Sequence, residues 1–364
     1  MPLFSSIKSK YHKKMSRLVL GLLITLCFTL YTLGYLNIPG LLFVEQKLYD
    51  TKVQVSAQGQ SDDRVVILDI DEKSLGELGR WPWSRSLMAK INQKLFSEQG
   101  ISVLGYDIVW AEPDPLNFAS VSRLYDGFAN ESSTVKNLIE QLKKKDPDQQ
   151  FADSIKGHNV VLGLYFNSEK GAVKANVLPP PAVKADQLPP HSHQILHWEA
   201  YTGNLERITE SAAMAGHFNP MVDSDGIVRR VPLLVEYGGN FYQSLSLAMV
   251  RMAIGGPPVE PVIVKASSDY EKLEGIKVGP LEIPLQEDAS AYIPYRGGAY
   301  TYRYISVLDL LNNRLPPKSL ENKLVLMGSS APGLRDHRAT PMSDRKSTRL
   351  NSSHVKRSRM PSSA

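Results

Sequence analysis

Asp69 and Asp71 stand two apart where the apolar run 65–70 ends, and Asp107, Glu112 and Asp114 close or follow a second apolar run that opens at Val103. Residues two apart on an extended strand project to the same face. If the two runs are neighbouring parallel strands, their carboxylates gather at the carboxyl edge of a sheet, where open α/β sheets bind ligands. Arg80 and Arg85 flank Trp81, Pro82 and Trp83 between the two runs. Three chemistries suit such a set. The arginines and aspartates can form a lattice that locks the loops, with Trp81 and Trp83 as lids on a core. Alternatively, Asp69, Asp71, Arg80, Trp81, Asp107, Glu112 and Asp114, joined by Arg335 from a later loop, can line a pocket for a ligand or cation. Paired carboxylates can also serve hydrolysis or metal-assisted chemistry, but no nucleophile, base and oxyanion set accompanies them, so no catalytic residue is assigned.

Three further motifs fall short of the chemistry they suggest. Asp223-Ser224-Asp225-Gly226 opens like a calcium loop, yet Ile227 and Leu234 fill its fifth and twelfth positions, where oxygen ligands are needed. A turn leading into a strand is the better reading. The stretch 328–333 is Gly- and Ser-rich and follows an apolar run, as a phosphate loop would, but Leu334 and Arg335 stand where Lys and Ser or Thr belong. It reads as a tight turn presenting Arg335, Asp336 and His337. His191, His193 and His197 lie in a Pro-rich stretch with no groups set to orient them as ligands, so no metal site is assigned. Cys27 is the single cysteine, which excludes an intrachain disulfide. No cofactor is expected.

Some element must hold these side chains. The runs 65–70 and 103–110 are continuously apolar, as in strands buried on both faces, and 86–96 between them has helical spacing at Leu87, Ile91 and Leu95. That predicts a βαβ unit. The runs 160–166 and 324–327 add strands, and 226–237, 275–284 and 291–296 show the alternation and Gly/Pro punctuation of hairpins. The expected fold class is α/β or α+β, with a mixed, largely parallel sheet, flanking helices and β-hairpin additions. Residues 115–150 read as a polar surface excursion with a helix at 134–145, and 174–198 as a second loop, rich in Pro and His.

The ends explain the charge. The 364-residue chain carries a formal +5; residues 1–17 hold +5 and residues 344–364 another +5, which leaves the body at −5. A mildly acidic body has no electrostatic footprint for nucleic acid. Residues 18–36 form a 19-residue stretch without charge, about 28 Å as a helix, enough to span the hydrocarbon core. Its basic N-terminal flank predicts that residues 1–17 stay cytoplasmic and that the chain beyond residue 36 is exported. The run exceeds a usual signal-peptide core and no small-x-small site precedes Asn37, so an uncleaved anchor is expected, with a helix at 41–52 leaving the membrane. Residues 344–364 break sharply in composition. Their strings DRKSTRLNSSH and SRMPSSA reverse-translate in one frame into two blocks that resemble a common sequencing adapter around an index, so this tail is read as an artefact and set aside.

DIDEKSL with GRWPWSR, GYDIVWAEPD, GHFNP at 216–220, DSDGIVRRVPL at 223–233, IPYRG at 293–297 and LVLMGSSAPGLRDHRATP at 324–341 occur in an order and spacing that resemble the type 2 CHASE family. The resemblance covers about 41–343. It implies an extracytoplasmic sensor domain at 37–343, followed in the parent by further membrane helices and a cytoplasmic output. Such outputs are most often a class III adenylate or guanylate cyclase, otherwise a histidine kinase, a Ser/Thr kinase or a diguanylate cyclase. The family supplies no catalytic set, so the fragment itself is expected not to be an enzyme. It implies a homodimer in a bacterial inner membrane, with a small molecule or envelope component as ligand. A membrane-anchored periplasmic hydrolase using Asp69, Asp71, Asp107 and Glu112, and a tethered scaffold for an envelope protein, are the rival expectations.

Overall fold

The computed structural model describes residues 3–33, 35–36, 39–57, 59, 62–115, 146–168, 175–188, 195–267, 270–331 and 338–342. They fall into two units, Met1–Ser56 and Ala57–Ala364. In the first, helix α1 (Leu3–Thr32) contains one stretch, Lys14–Thr32, long and apolar enough to cross a membrane. The helix stops at Thr32, short of the expected Leu36. Thr25, Thr29 and Thr32 donate their hydroxyls to the carbonyls four residues back, at 3.0, 2.9 and 2.8 Å. That leaves no hydroxyl unsatisfied on these apolar turns. Helix α2 (Pro39–Ser56) contains the expected 41–52 helix.

The second unit is built on a seven-stranded sheet. Strands β1 (Val65–Asp69), β2 (Val103–Tyr106), β3 (Val160–Asn167), β5 (Met214–His217), β13 (Arg303–Ser306) and β14 (Leu324–Gly328) run parallel in the order β13-β1-β14-β2-β3-β5, and β4 (Ala200–Thr202) lies antiparallel on the far half of β3. The largely parallel α/β sheet follows from the sequence, but one feature corrects the expectation. β1 and β2 are not neighbours: β14, the last strand among the described residues, inserts between them and pairs with both. The crossover from β1 therefore skips a position. β2 is also shorter than the apolar run suggests, ending at Tyr106.

Helices cover both faces. On one, α4 (Arg85–Gln93) and α5 (Pro147–Ile155) bury Met88, Ile91, Phe151 and Ile155 against Val66, Leu68, Leu104, Leu162, Val325 and Met327. A π turn, Lys94–Glu98, continues α4 and buries Leu95, and the short α6 (Glu206–Ser211) adds Ile208 to the same cluster. On the other face, α7 (Leu245–Ala253) sets Leu245, Ala248 and Met249 on Val103 and Val161. A Cβ at Gly105 would collide with Met249 Sδ, so glycine is what lets α7 lie on β2. Caps fix the helix starts: Asp71 for α3 (Glu72–Leu78), Ser84 for α4, Asp146 ahead of Pro147 for α5, and Ser244 for α7.

A second core is formed by the meander β9 (Val259–Ser267), β10 (Tyr270–Val278) and β11 (Leu281–Pro284), with Val183, Leu188, Ile195, Leu234 and Phe241 packed on Ile276 and Val278. The expected 275–284 hairpin is β10–β11. The stretch 226–237, expected as one hairpin, is split: β6 (Arg230–Pro232) pairs with β12 (Ser290–Tyr292), while β7 (Leu234–Tyr237) forms a hairpin with β8 (Asn240–Gln243). Residues 174–198, expected as a surface loop, bury Val183 fully where they are described. The expected 134–145 helix lies outside the described residues.

Candidate functional site

The carboxyl ends of β13, β1 and β14 form the edge predicted to collect carboxylates. Asp69, the buried last residue of β1, accepts the backbone N–H of Ser330 at 2.8 Å and its hydroxyl. Ile70 N–H donates to Gly328 O at 2.9 Å and Ser329 Oγ to Ile70 O at 3.0 Å, so the start of the β14 loop is sewn to the end of β1. Asp71 turns to the opposite neighbour. Its Oδ1 caps α3 through Ser74 N–H at 2.8 Å and takes the Ser306 hydroxyl, at the end of β13, at 3.1 Å. Ser74 Oγ in turn accepts Leu308 N–H at 3.1 Å. Both carboxylates thus act as acceptors that hold loops together, one on each side of β1.

Asp114, Arg85 and Trp110 make a second, separate cluster. Arg85 begins α4 with its backbone N–H on Asp114 Oδ2 at 2.7 Å. Its guanidinium donates to Glu112 O at 2.9 Å, lies 4.3 Å from the Trp110 ring centre, and stands 3.7 Å from Asp148 Oδ1. Asp148 also accepts the Asp114 N–H, at 3.1 and 3.2 Å. Burial pushes the Arg85 guanidinium below its ordinary pKa, and Asp148, Asp114 and Glu112 oppose that. A guanidinium keeps its charge through any such shift. The geometry is that of an Arg–Asp lattice, with the Trp81 ring edge-to-face with Trp83 at 5.5 Å and tilted against Trp110 at 5.8 Å. Asp148 was not among the expected members, because it lies in the stretch read as a polar excursion.

Arg80, Asp107 and Glu112 are exposed, and Trp81 is half-buried. Asp107 N–H donates to Met327 O at 2.9 Å, and a Cβ at Gly328 would lie 3.6 Å from the Asp107 carboxylate. The predicted residues therefore divide into three kinds. Asp69 and Asp71 are spent on strand ends, Asp114 is spent on Arg85, and Arg80, Trp81, Asp107 and Glu112 retain surface. Arg335 lies outside the described residues. Two carboxylates already engaged as acceptors are poorly placed for acid–base work. Among the described residues no three His, Cys, Asp or Glu side chains are grouped to hold a metal.

The calcium-like turn has a different use. Arg229, almost fully buried, reaches Asp223 at 2.8 Å and Asp225 at 2.7 and 2.9 Å, and Arg230 joins Asp223 at 3.2 Å to Asp288 at 2.9 Å. Beside it lies an open groove of about 470 Å³ lined by Arg230, Lys272, Glu274 and the 285–288 turn. Both of its cations are already paired, Lys272 with Glu287 at 2.5 Å. His197 meets Glu236, while His191 and His193 lie outside the described residues. Sequence reasoning missed His217, which closes β5 fully buried with neither ring nitrogen hydrogen-bonded. Its signal was the GHFNP string, where a histidine sits in an otherwise apolar strand.

The whole is a largely parallel sheet whose strand-end loops are tied by short-range polar contacts. The family model of the CHASE2 domain matches residues 21–362, and the chain belongs to that family. CHASE2 is an extracellular sensory domain of signalling receptors and is not catalytic. No curated protein and no solved structure gave a match.

Proposed function

We propose that residues 37–343 are the periplasmic sensor of a bacterial inner-membrane receptor whose output is a class III adenylate or guanylate cyclase. The observation that carries this reading is the family match, together with an apolar helix flanked on its N-terminal side by Lys8, Lys10, Lys13, Lys14 and Arg17. Such a flank keeps the N-terminus in the cytoplasm and exports the body. The ligand, a small molecule or an envelope component, meets the exposed rim of Arg80, Trp81, Asp107 and Glu112. Two such sensors side by side in a homodimer would pass the change to paired outputs. A ligand can shift that equilibrium only by its differential affinity for two arrangements of the domain. Recovering the natural gene beyond codon 343 tests the proposal. Further apolar segments followed by a cyclase domain are expected; a kinase or diguanylate cyclase there would correct the output, and a reading frame with no further apolar segment would overturn the receptor reading.

A further inference from the structure

His217 is the least explained polar group of the described residues. Register places it beside Leu164 of β3, and on its other side its backbone bridges to Ser244, directly after β8. The ring lies 6.0 Å from the Phe166 ring. Phe166 in turn packs on Tyr242 at 5.5 Å and Tyr237 at 5.9 Å, and Val235 and Tyr242 join the same core cluster. The β7–β8 hairpin is thus the cover over this end of the sheet.

None of the ionisable groups on the surrounding elements bonds the imidazole. On β7, Glu236 is occupied by His197 and by Gly239 N–H at 2.6 Å. At the end of β8, Gln243 gives its amide to Ala215 O at 3.2 Å and takes Arg251 of α7 at 2.5 Å. Among the described residues the other ionisable groups are the phenols of Tyr165 on β3, whose ring lies 6.0 Å from Phe218, and of Tyr201, Tyr237 and Tyr242. β3 presents Leu164 and Phe166. A buried imidazole with no partner already carries the cost of an unmade hydrogen bond, and a buried imidazolium would carry far more. Burial alone holds its pKa down at about 3, against an ordinary 6.5. A proton therefore favours any arrangement that lets water reach the ring. The hairpin is a two-stranded sheet outside the seven-stranded one, joined to Val183 through Phe241 and to the 195–198 stretch through Glu236, so it can part from the β3–β5 end without breaking a strand pairing of the large sheet.

We propose that His217 is a proton-operated latch: uptake of a proton on its ring lifts the β7–β8 hairpin from the β3–β5 end of the sheet, making mild acid a stimulus that this domain registers. The sign follows from linkage. With the closed-state pKa below the open-state one, closure is favoured above pH 6.5 and lost as pH falls towards 3, by about tenfold in the opening constant per pH unit.

The test is hydrogen exchange on the full chain in lipid nanodiscs, corrected for the intrinsic pH dependence of exchange. Between pH 7.5 and 5.0, above the ordinary carboxylate range, protection of amides in β7, β8 and β5 is expected to fall about 30-fold, while β1 and β14 hold theirs. His217→Gln and His217→Phe are expected to abolish the fall. Equal protection at both pH values in the wild type, or a fall that persists in either variant, overturns the latch. Should neither variant fold, ring NMR of the wild type decides. A His217 signal that changes only as the hairpin loses protection supports the latch, and one that titrates near 6.5 under a protected hairpin overturns it.

Discussion

Arg229 is nearly water-free, and Asp223 and Asp225, which pair with it, come from the turn four to six residues before it. Removing one member of a buried charge group leaves the others desolvated and unpaired, which costs more than the pair contributes. Arg229→Ala is therefore expected to lower unfolding stability by about 3–5 kcal/mol, read by urea denaturation. Arg229→Lys should recover only part of that, because one ammonium cannot copy the planar fork that meets Asp225 twice and Asp223 once. At this scale the sequence was partly legible. The failed calcium pattern correctly left a turn at 223–226, closed by Gly226 N–H on Asp223 O at 2.9 Å. What it did not carry was burial: Arg229 and Arg230 are adjacent and chemically identical, yet one is sealed in and the other bridges at the surface. Likewise, the two-residue spacing of Asp69 and Asp71 promised a shared face, but their partners lie beyond strands on opposite sides of β1.

Strand identity was readable from composition, whereas strand neighbours were not. β1, β2, β3 and β14 are short runs of β-branched and apolar residues, and periodicity alone finds them. Nothing in such a run names its partner, so the insertion of β14 between β1 and β2 stayed hidden. β9 escaped for a different reason. Pro261 interrupts it, and a proline is tolerated there because β9 is the edge of its three-stranded sheet. Glycines mark where elements meet most closely, and two of them give contrasting expectations. At Gly216 a Cβ would stand 2.5 Å from Ser244 O and 2.6 Å from Leu245 N, the backbone where α7 begins. At Gly105 the clash is with Met249 Sδ, the far part of a flexible side chain. Gly216→Ala should cost about 2–3 kcal/mol or more in urea denaturation. Gly105→Ala should cost less, and Met249→Ala in the Gly105→Ala background should relieve part of it. No side-chain truncation should rescue Gly216→Ala. Equal losses at the two positions would mean that α7 is not seated as rigidly as these contacts require.

At the scale of the whole chain, β14 decides whether there is one sheet or two. Val325 and Met327 are fully buried, and β14 pairs with β1 over five residues and with β2 over four. Without it, β13 and β1 form one fragment and β2, β3, β4 and β5 another, with no strand between them. β1 must also wait for this partner while residues 70–323 are made, on the order of tens of seconds at usual translation rates. During that wait the nearest parallel candidate for β1 is β2, the neighbour that the sequence alone suggests. Closing the long loop adds only about 0.6 kcal/mol per doubling of its length, so the native pairing wins once β14 exists. Two truncations of the chain separate these contributions. A stop after Ser343 removes only the basic tail read as adapter-derived and keeps Ala339, whose carbonyl takes Val228 N–H at 2.8 Å. It should leave a protease-resistant body and full amide protection in β1 and β2. A stop after Asn322 removes β14 and the Ser330 tie to Asp69, and should yield a chain whose β1 amides exchange freely and which aggregates on solubilisation. If the shorter chain kept β1 and β2 protected, the two strands would be pairing directly with each other, and β14 would be an addition to the sheet rather than its centre.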